Sequence, residues 1–301
     1  MRSNLRRIVA LASLAMAVTV IQGCGPVNKL RAKNELNEGV RTFNRGKFDE
    51  AEKMFKQALA YDPDNINAQF FYAMTVNARH EKSLNSQDVD KSGSIQAGQE
   101  TIAAFQKVID MNPEMAVRDR AISFIAKAYK SLADQAYDPK TDKARYDEAR
   151  AKYLEHLEKR ADLEGQTDEV KAQMYYTVGD DYWKEARGII ESNAKRDAAN
   201  PQVPATYEVP AADLPRVNAS LAKAHEYMQK AIAKNPAYPE PYLGVKLIYF
   251  EEAKLAADTA KRDEIKKQAD SWDEKYRDKL AEQQRAQAAA AEATAAEGTA
   301  K

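Results

Sequence analysis

The residues able to do chemistry are few in this chain of 301, and their spacing narrows what they can do. Cys24 is its one cysteine, so no disulfide can close within the chain. The three histidines, His80, His156 and His225, lie far apart without metal-type spacing, so packing roles are expected of them. Asp88, Asp90, Ser92 and Gly93 follow one another as in a calcium loop, where alternate carboxylates converge on a cation and glycine permits a sharp turn. The closing bidentate carboxylate is missing, because Gln99 stands there and Glu100 falls one place late; a polar surface loop is the competing reading. No Gly-rich phosphate loop, G-x-S-x-G elbow or H-E-x-x-H is present. With no acid, base or nucleophile set, the residues point to a non-enzymatic binding protein without a cofactor.

Cys24 has a different use. Arg2, Arg6 and Arg7 precede an apolar run, Ile8–Val20, then Ile21, Gln22, Gly23 and Cys24. A basic start, a short apolar stretch and a small residue before the cut make a secretory signal, and the run is shorter than the roughly 20 residues of a membrane span. The segment resembles a bacterial lipobox, from which Ile21 and Gln22 depart. The resemblance implies that residues 1–23 are a signal peptide, that Cys24 carries the acyl chains, and that 24–31 form a lipidated tether. At about 0.8 kcal/mol per buried methylene, such an anchor is effectively permanent. Gly25 stands where Asp would signal retention at the inner membrane, so the expected location is the outer membrane, facing the periplasm.

Charge excludes one class of partner. The first 23 residues hold three of the 46 basic residues and none of the 46 acidic ones, leaving the remainder near neutral. Nucleic-acid binding requires a concentrated basic surface, and the charges here are interspersed. They read as the solvated faces of helices.

Internal periodicity supplies those helices. Residues 32–65 read AKNELNEGVRTFNRGKFDEAEKMFKQALAYDPDN. Gly39 is the small residue of a first helix, Gly46 turns the chain, and Phe48, Ala51, Phe55, Ala58 and Leu59 form the apolar stripe of a second, which Pro63 ends. This 34-residue unit resembles a tetratricopeptide repeat (TPR). Three more follow, with helices over 67–79 and 100–111, 120–132 and 143–159, and 169–190 and 219–233. Aligned on Ala73, Ala126 and Gly179, their second helices carry Thr101, Ala149 and Ala224, which places insertions of about 16, 11 and 33 residues between paired helices. The expected fold is an all-α, TPR-like helical-hairpin solenoid with long intra-repeat insertions over 32–257. A capping helix over 262–284, with Trp272 in its core, and an Ala-rich mobile tail over 285–301 complete it. The order resembles long-loop tetratricopeptide lipoproteins of the outer membrane.

In that family the first helix of each repeat lines a concave groove. Repeat register then places Val40, Phe43 and Asn44, Phe70, Met74 and Asn77, Lys127 and Lys130, and Tyr176, Asp180 and Trp183 there. Aromatic anchors among amide and charged groups suit a protein or peptide partner of the cell envelope. The expected function is a lipid-anchored scaffold that assembles or localises an envelope complex. The alternative is a solute- or peptide-binding lipoprotein serving a transporter. The Pro-rich insertion Ser192–Asn218 contains Tyr207 and Val209 and is expected to dock in part.

Overall fold

In the computed structural model, residues 25–84, 91–138, 141–196, 202 and 205–299 are described. They form two compact units, one ending at His156 and the other starting at Leu157. The first contains α1 (Gly25–Asn44), α2 (Phe48–Tyr61), α3 (Ile66–Leu84), α4 (Lys91–Asp110), α5 (Met115–Ser131), a π-turn (Leu132–Ala136) and most of α6 (Lys143–Ala161). The second holds the end of α6, then α7 (Asp168–Ser192), β1 (Ala194–Lys195), β2 (Thr206–Tyr207), α8 (Leu214–Lys234), α9 (Glu240–Leu255) and α10 (Thr259–Thr299). The protein is thus all-α and built of stacked helical hairpins, the TPR-like class that the repeats predict.

In the first unit, α1 pairs with α2 and α3 with α4, while α2 packs on α3 and α4 on α5. Gly46 makes the first turn at φ +76°, its amide donating to the Phe43 carbonyl at 2.8 Å. Asn65 starts α3 by accepting the Ala68 amide at its Oδ1, 3.0 Å away. The pairing distance of α1 and α2 is set at Gly39, where a Cβ would lie 2.6 Å from Phe55 Cε1. Phe55 in turn stacks on Phe71 of α3 at 5.7 Å. Farther along, the buried Gln69 amide donates to the Ala104 carbonyl at 3.1 Å, and Phe105 stacks on Phe124 at 4.7 Å. The positions used to align the repeats (Ala73, Thr101, Ala126, Ala149, Gly179 and Ala224) are all buried.

In the second unit α7 pairs with α8, and α9 packs on α8, α7 and α10. A Cβ on Gly244 would lie 2.5 Å from Met228 Sδ, so α9 and α8 meet as closely as α1 and α2 do. Arg216 and Ser220 of α8 both bond to Glu185 of α7, at 2.7 and 2.8 Å. Ile265 and Ala269 bury the expected cap, and Trp272 lies 6.0 Å from Tyr242 within it.

Three boundaries depart from expectation. The tether 25–31 is the first two turns of α1, with Val27 and Leu30 52% and 61% exposed. The first insertion is largely absorbed by longer helices, α3 running to Leu84 and α4 starting at Lys91. Ser92 and Gly93 therefore sit in the first turn of α4 and not in the turn of a calcium loop; Asp88 and Asp90 lie outside the described residues. The cap does not stop at 284, because no helix breaker precedes Gly298 and alanine favours helix, so α10 continues to Thr299. Residues 286–294 of that extension are exposed.

This packing can be tested at two residues. Gly39→Val should lower stability by about 1–3 kcal/mol, since Phe55 cannot yield without disturbing Phe71. An unchanged urea midpoint would contradict the close approach. His80 is buried, neither ring nitrogen has a hydrogen-bond partner among the described residues, and burial pushes its pKa below the ordinary 6.5 despite Glu81 nearby. The unfolded chain then takes up the proton first, so stability falls as pH drops below 6.5 and levels off below the folded-state value. His80→Leu should flatten that loss; parallel stability–pH curves for the two proteins would refute it.

Candidate functional site

The third insertion forms one wall of a concavity in the second unit. β1 and β2 pair antiparallel, Ala194 opposite Tyr207 and Lys195 opposite Thr206, and Lys195 pairs with Glu208 beside them. Tyr207 and Val209 pack on the core of the second unit, so the insertion docks in part. Below it, α7 presents Trp183 and Arg187 one turn apart, α9 presents Leu247, Phe250, Glu251 and Lys254, and α10 opens with Arg262 and Lys266 one turn apart. Together they enclose a cleft of about 810 Å³.

Its lining is largely apolar and its rim is cationic. Trp183 is only 7% exposed, carries the Arg187 guanidinium over its ring at 5.1 Å, and has an enclosed indole N–H without an acceptor among the described residues. Lys254 lies 5.1 Å from the Tyr207 ring and pairs with Glu191 at 2.7 Å and Glu251 at 2.8 Å. Burial opposes its charge, but the hydrogen bonds and negative charges of those two carboxylates together hold its pKa above the ordinary value. The bond from Lys254 likewise holds the Glu191 carboxyl below its ordinary range. The carboxylate within the cleft is thus already neutralised. Arg187, Arg262 and Lys266 have no carboxylate within ion-pair distance among the described residues; Arg187 acts on Glu191 at longer range, and Arg262 reaches the Ala256 carbonyl at 3.4 Å.

Of the residues expected in a groove, Trp183 lines this cleft. Tyr176 stands edge-on to Tyr238 at 5.6 Å, burial raising its hydroxyl pKa, and Asp180 pairs with Lys184 at 2.6 Å. In the first unit, Phe43 meets Phe48 and Phe71, and Phe70 meets Phe71 and Phe105, so both aromatics serve helix packing. Met74 packs on the same core, and the buried Asn77 donates to Glu81 at 2.9 Å. Val40 is half-buried and Asn44 exposed. Lys127 sits over Phe124 at 5.5 Å, and Lys130 pairs with Asp134 at 2.8 Å while covering Tyr153. His156 Nδ1 donates to the Lys152 carbonyl, 2.7 Å away, and the ring packs on Tyr129. Sequence reasoning missed Arg187, Phe250, Lys254, Arg262 and Lys266. The four-residue spacing of Trp183 with Arg187 was a usable signal; the cap's cations carried none. Cys24 lies outside the described residues. Among the described residues no three His, Cys, Asp or Glu side chains gather as a metal site, and no helix is long and apolar enough to cross a membrane.

No family model matches the chain, and no curated protein matches it. Several solved structures are similar. A crystal structure of MamA protein has 15% identity and a TM-score of 0.46, over 85% of this chain and 94% of that one. MamA 41-end from Desulfovibrio magneticus RS-1 has 15% identity and a TM-score of 0.41, over 84% and 97%. TTC0263, a thermophilic TPR protein in Thermus thermophilus, has 17% identity and a TM-score of 0.31, over 83% and 98%.

Tyr207→Ala should release the insertion from the core. Hydrogen exchange should rise across 205–209 while α7 and α9 stay protected, at a cost of about 1–2 kcal/mol for the lost ring burial and cation contact. Unchanged exchange there would show that the docking does not depend on Tyr207.

Proposed function

We propose that this protein is a non-catalytic, lipid-anchored scaffold of the bacterial cell envelope that grips a protein partner. The cleft of the second unit carries the reading: a largely apolar lining with aromatic anchors, three rim cations with no carboxylate at ion-pair distance among the described residues, and helices to hold both. Stacked helical hairpins supply a rigid frame for such a surface. The anchor reading draws on Arg2, Arg6 and Arg7, the apolar run 8–20, and Gly23 before Cys24. On this reading the acyl chains confine the protein to the periplasmic face of the outer membrane, and search for the partner becomes two-dimensional. The cleft volume also falls in the range of small-molecule sites, about 300–1,000 Å³, which favours a solute-binding lipoprotein as the second reading.

Crosslinking separates these two readings, and a substitution tests the anchor they share. A photo-crosslinking side chain at Leu247, in the cleft, should give discrete protein adducts in intact cells, while one at the exposed Gln229 on α8 should not. Equal patterns, or none at Leu247, would remove the scaffold reading. Cys24→Ser should move the protein from the membrane pellet to the soluble fraction; continued pelleting would remove the anchor.

A further inference from the structure

We propose that the hairpin-roofed cleft receives an acidic linear segment of the partner protein, one apolar side chain seating among Trp183, Tyr207 and Phe250 while flanking carboxylates meet Arg187, Arg262 and Lys266. This rests on the scaffold reading and names its partner's chemistry. Charge selects the ligand. Among the described residues the cleft is lined by four cations and a single carboxylate, Glu251, which Lys254 already occupies. The remaining three cations have no carboxylate at ion-pair distance among the described residues. In a chain whose Lys+Arg and Asp+Glu both number 46, this is a local excess and not part of a general positive field. Spacing selects a segment over a compact anion. The cations are exposed and come from two elements, Arg187 on α7 and Arg262 with Lys266 on α10, with the aromatic residues lining the same cleft. Charges so distributed match carboxylates strung along an extended backbone, with an apolar residue between them.

The chain has two tryptophans, so Trp272→Phe in the full-length protein leaves Trp183 as the sole reporter. In detergent, this protein is titrated with a synthetic peptide alternating glutamate with phenylalanine and leucine, with its lysine counterpart, and with phenylacetate. The acidic peptide should shift Trp183 emission and the lysine peptide should not. Reversing the rim with Arg262→Glu and Lys266→Glu, both exposed, should weaken the acidic peptide at least about tenfold, with circular dichroism unchanged. Undiminished affinity after reversal, or equal binding of the lysine peptide, overturns the proposal. Phenylacetate competing as well as the peptide overturns it in favour of a solute site. Failure of every probe also overturns it, and crosslinked protein adducts at Leu247 would then still uphold the scaffold.

Discussion

Helix pairs in this protein are held at the distance allowed by one missing Cβ. At Gly39 the Phe55 ring occupies the space that any side chain would need, and the same ring stacks on Phe71 of the next hairpin. One contact therefore fixes both the width of the first hairpin and the seat of the second. In the other unit Met228 fills this role. Its Sδ fits against Gly244 of α9, and its Cε would stand 3.2 Å from a Cβ on Gly179 of α7. An unbranched thioether can bend into so irregular a gap where a branched chain could not. Because α7 carries Trp183 and α9 carries Phe250, the spacing that Met228 sets also sets the width of the candidate site.

Charge then ties what packing brings together. Lys254 joins Glu191, at the end of α7, to Glu251 of its own helix, and it covers Tyr207 of the hairpin. A partly buried cation with two acceptors satisfies its own desolvation and leaves neither carboxylate bare. Lys246 does similar work between α9 and α10, bonding Asp273 at 2.6 Å and lowering its pKa. With these carboxylates consumed inside, Arg187, Arg262 and Lys266 keep their charge for solvent or for a ligand.

How much of this was legible depends on the range of the interaction. The 34-residue period, the small residues Gly39 and Gly179, and the stripe Ala51, Phe55 and Ala58 are local or nearly so, and they yield the hairpins and their register. Helix ends were less legible. The residues before Glu100 contain Gly93 and Gly98, which read as loop; yet Gly98 is buried in α4, where a Cβ would meet Leu132 Cδ2 at 2.9 Å, so its smallness serves packing and not a turn. The groove residues show the same limit. Periodicity puts Phe70 and Trp183 on equivalent helices, but only the neighbours decide that Phe70 meets Phe105 while Trp183 walls a cleft.

Interruptions at one and the same junction of the repeat have different outcomes. The first extends α3 and α4, whose added residues still have partners: Ser94 and Gly98 are buried and His80 packs beside them. The second begins as a π-turn, which keeps Leu132 and Ala133 on the core with Ala149 while the chain changes direction. The third cannot continue a helix through its prolines, so its backbone groups need other partners. It finds them in the short ladder of 194–195 with 206–207 and in the Asp213 amide bonded to the Pro210 carbonyl, after which Pro215 sits in the first turn of α8. A ladder so short holds only if a side chain anchors it, and Tyr207 with Val209 provides that on the core of the second unit. The residue that makes the insertion stable is thereby also the residue that closes one side of the cleft, so in this unit docking the insertion and forming the site are a single event.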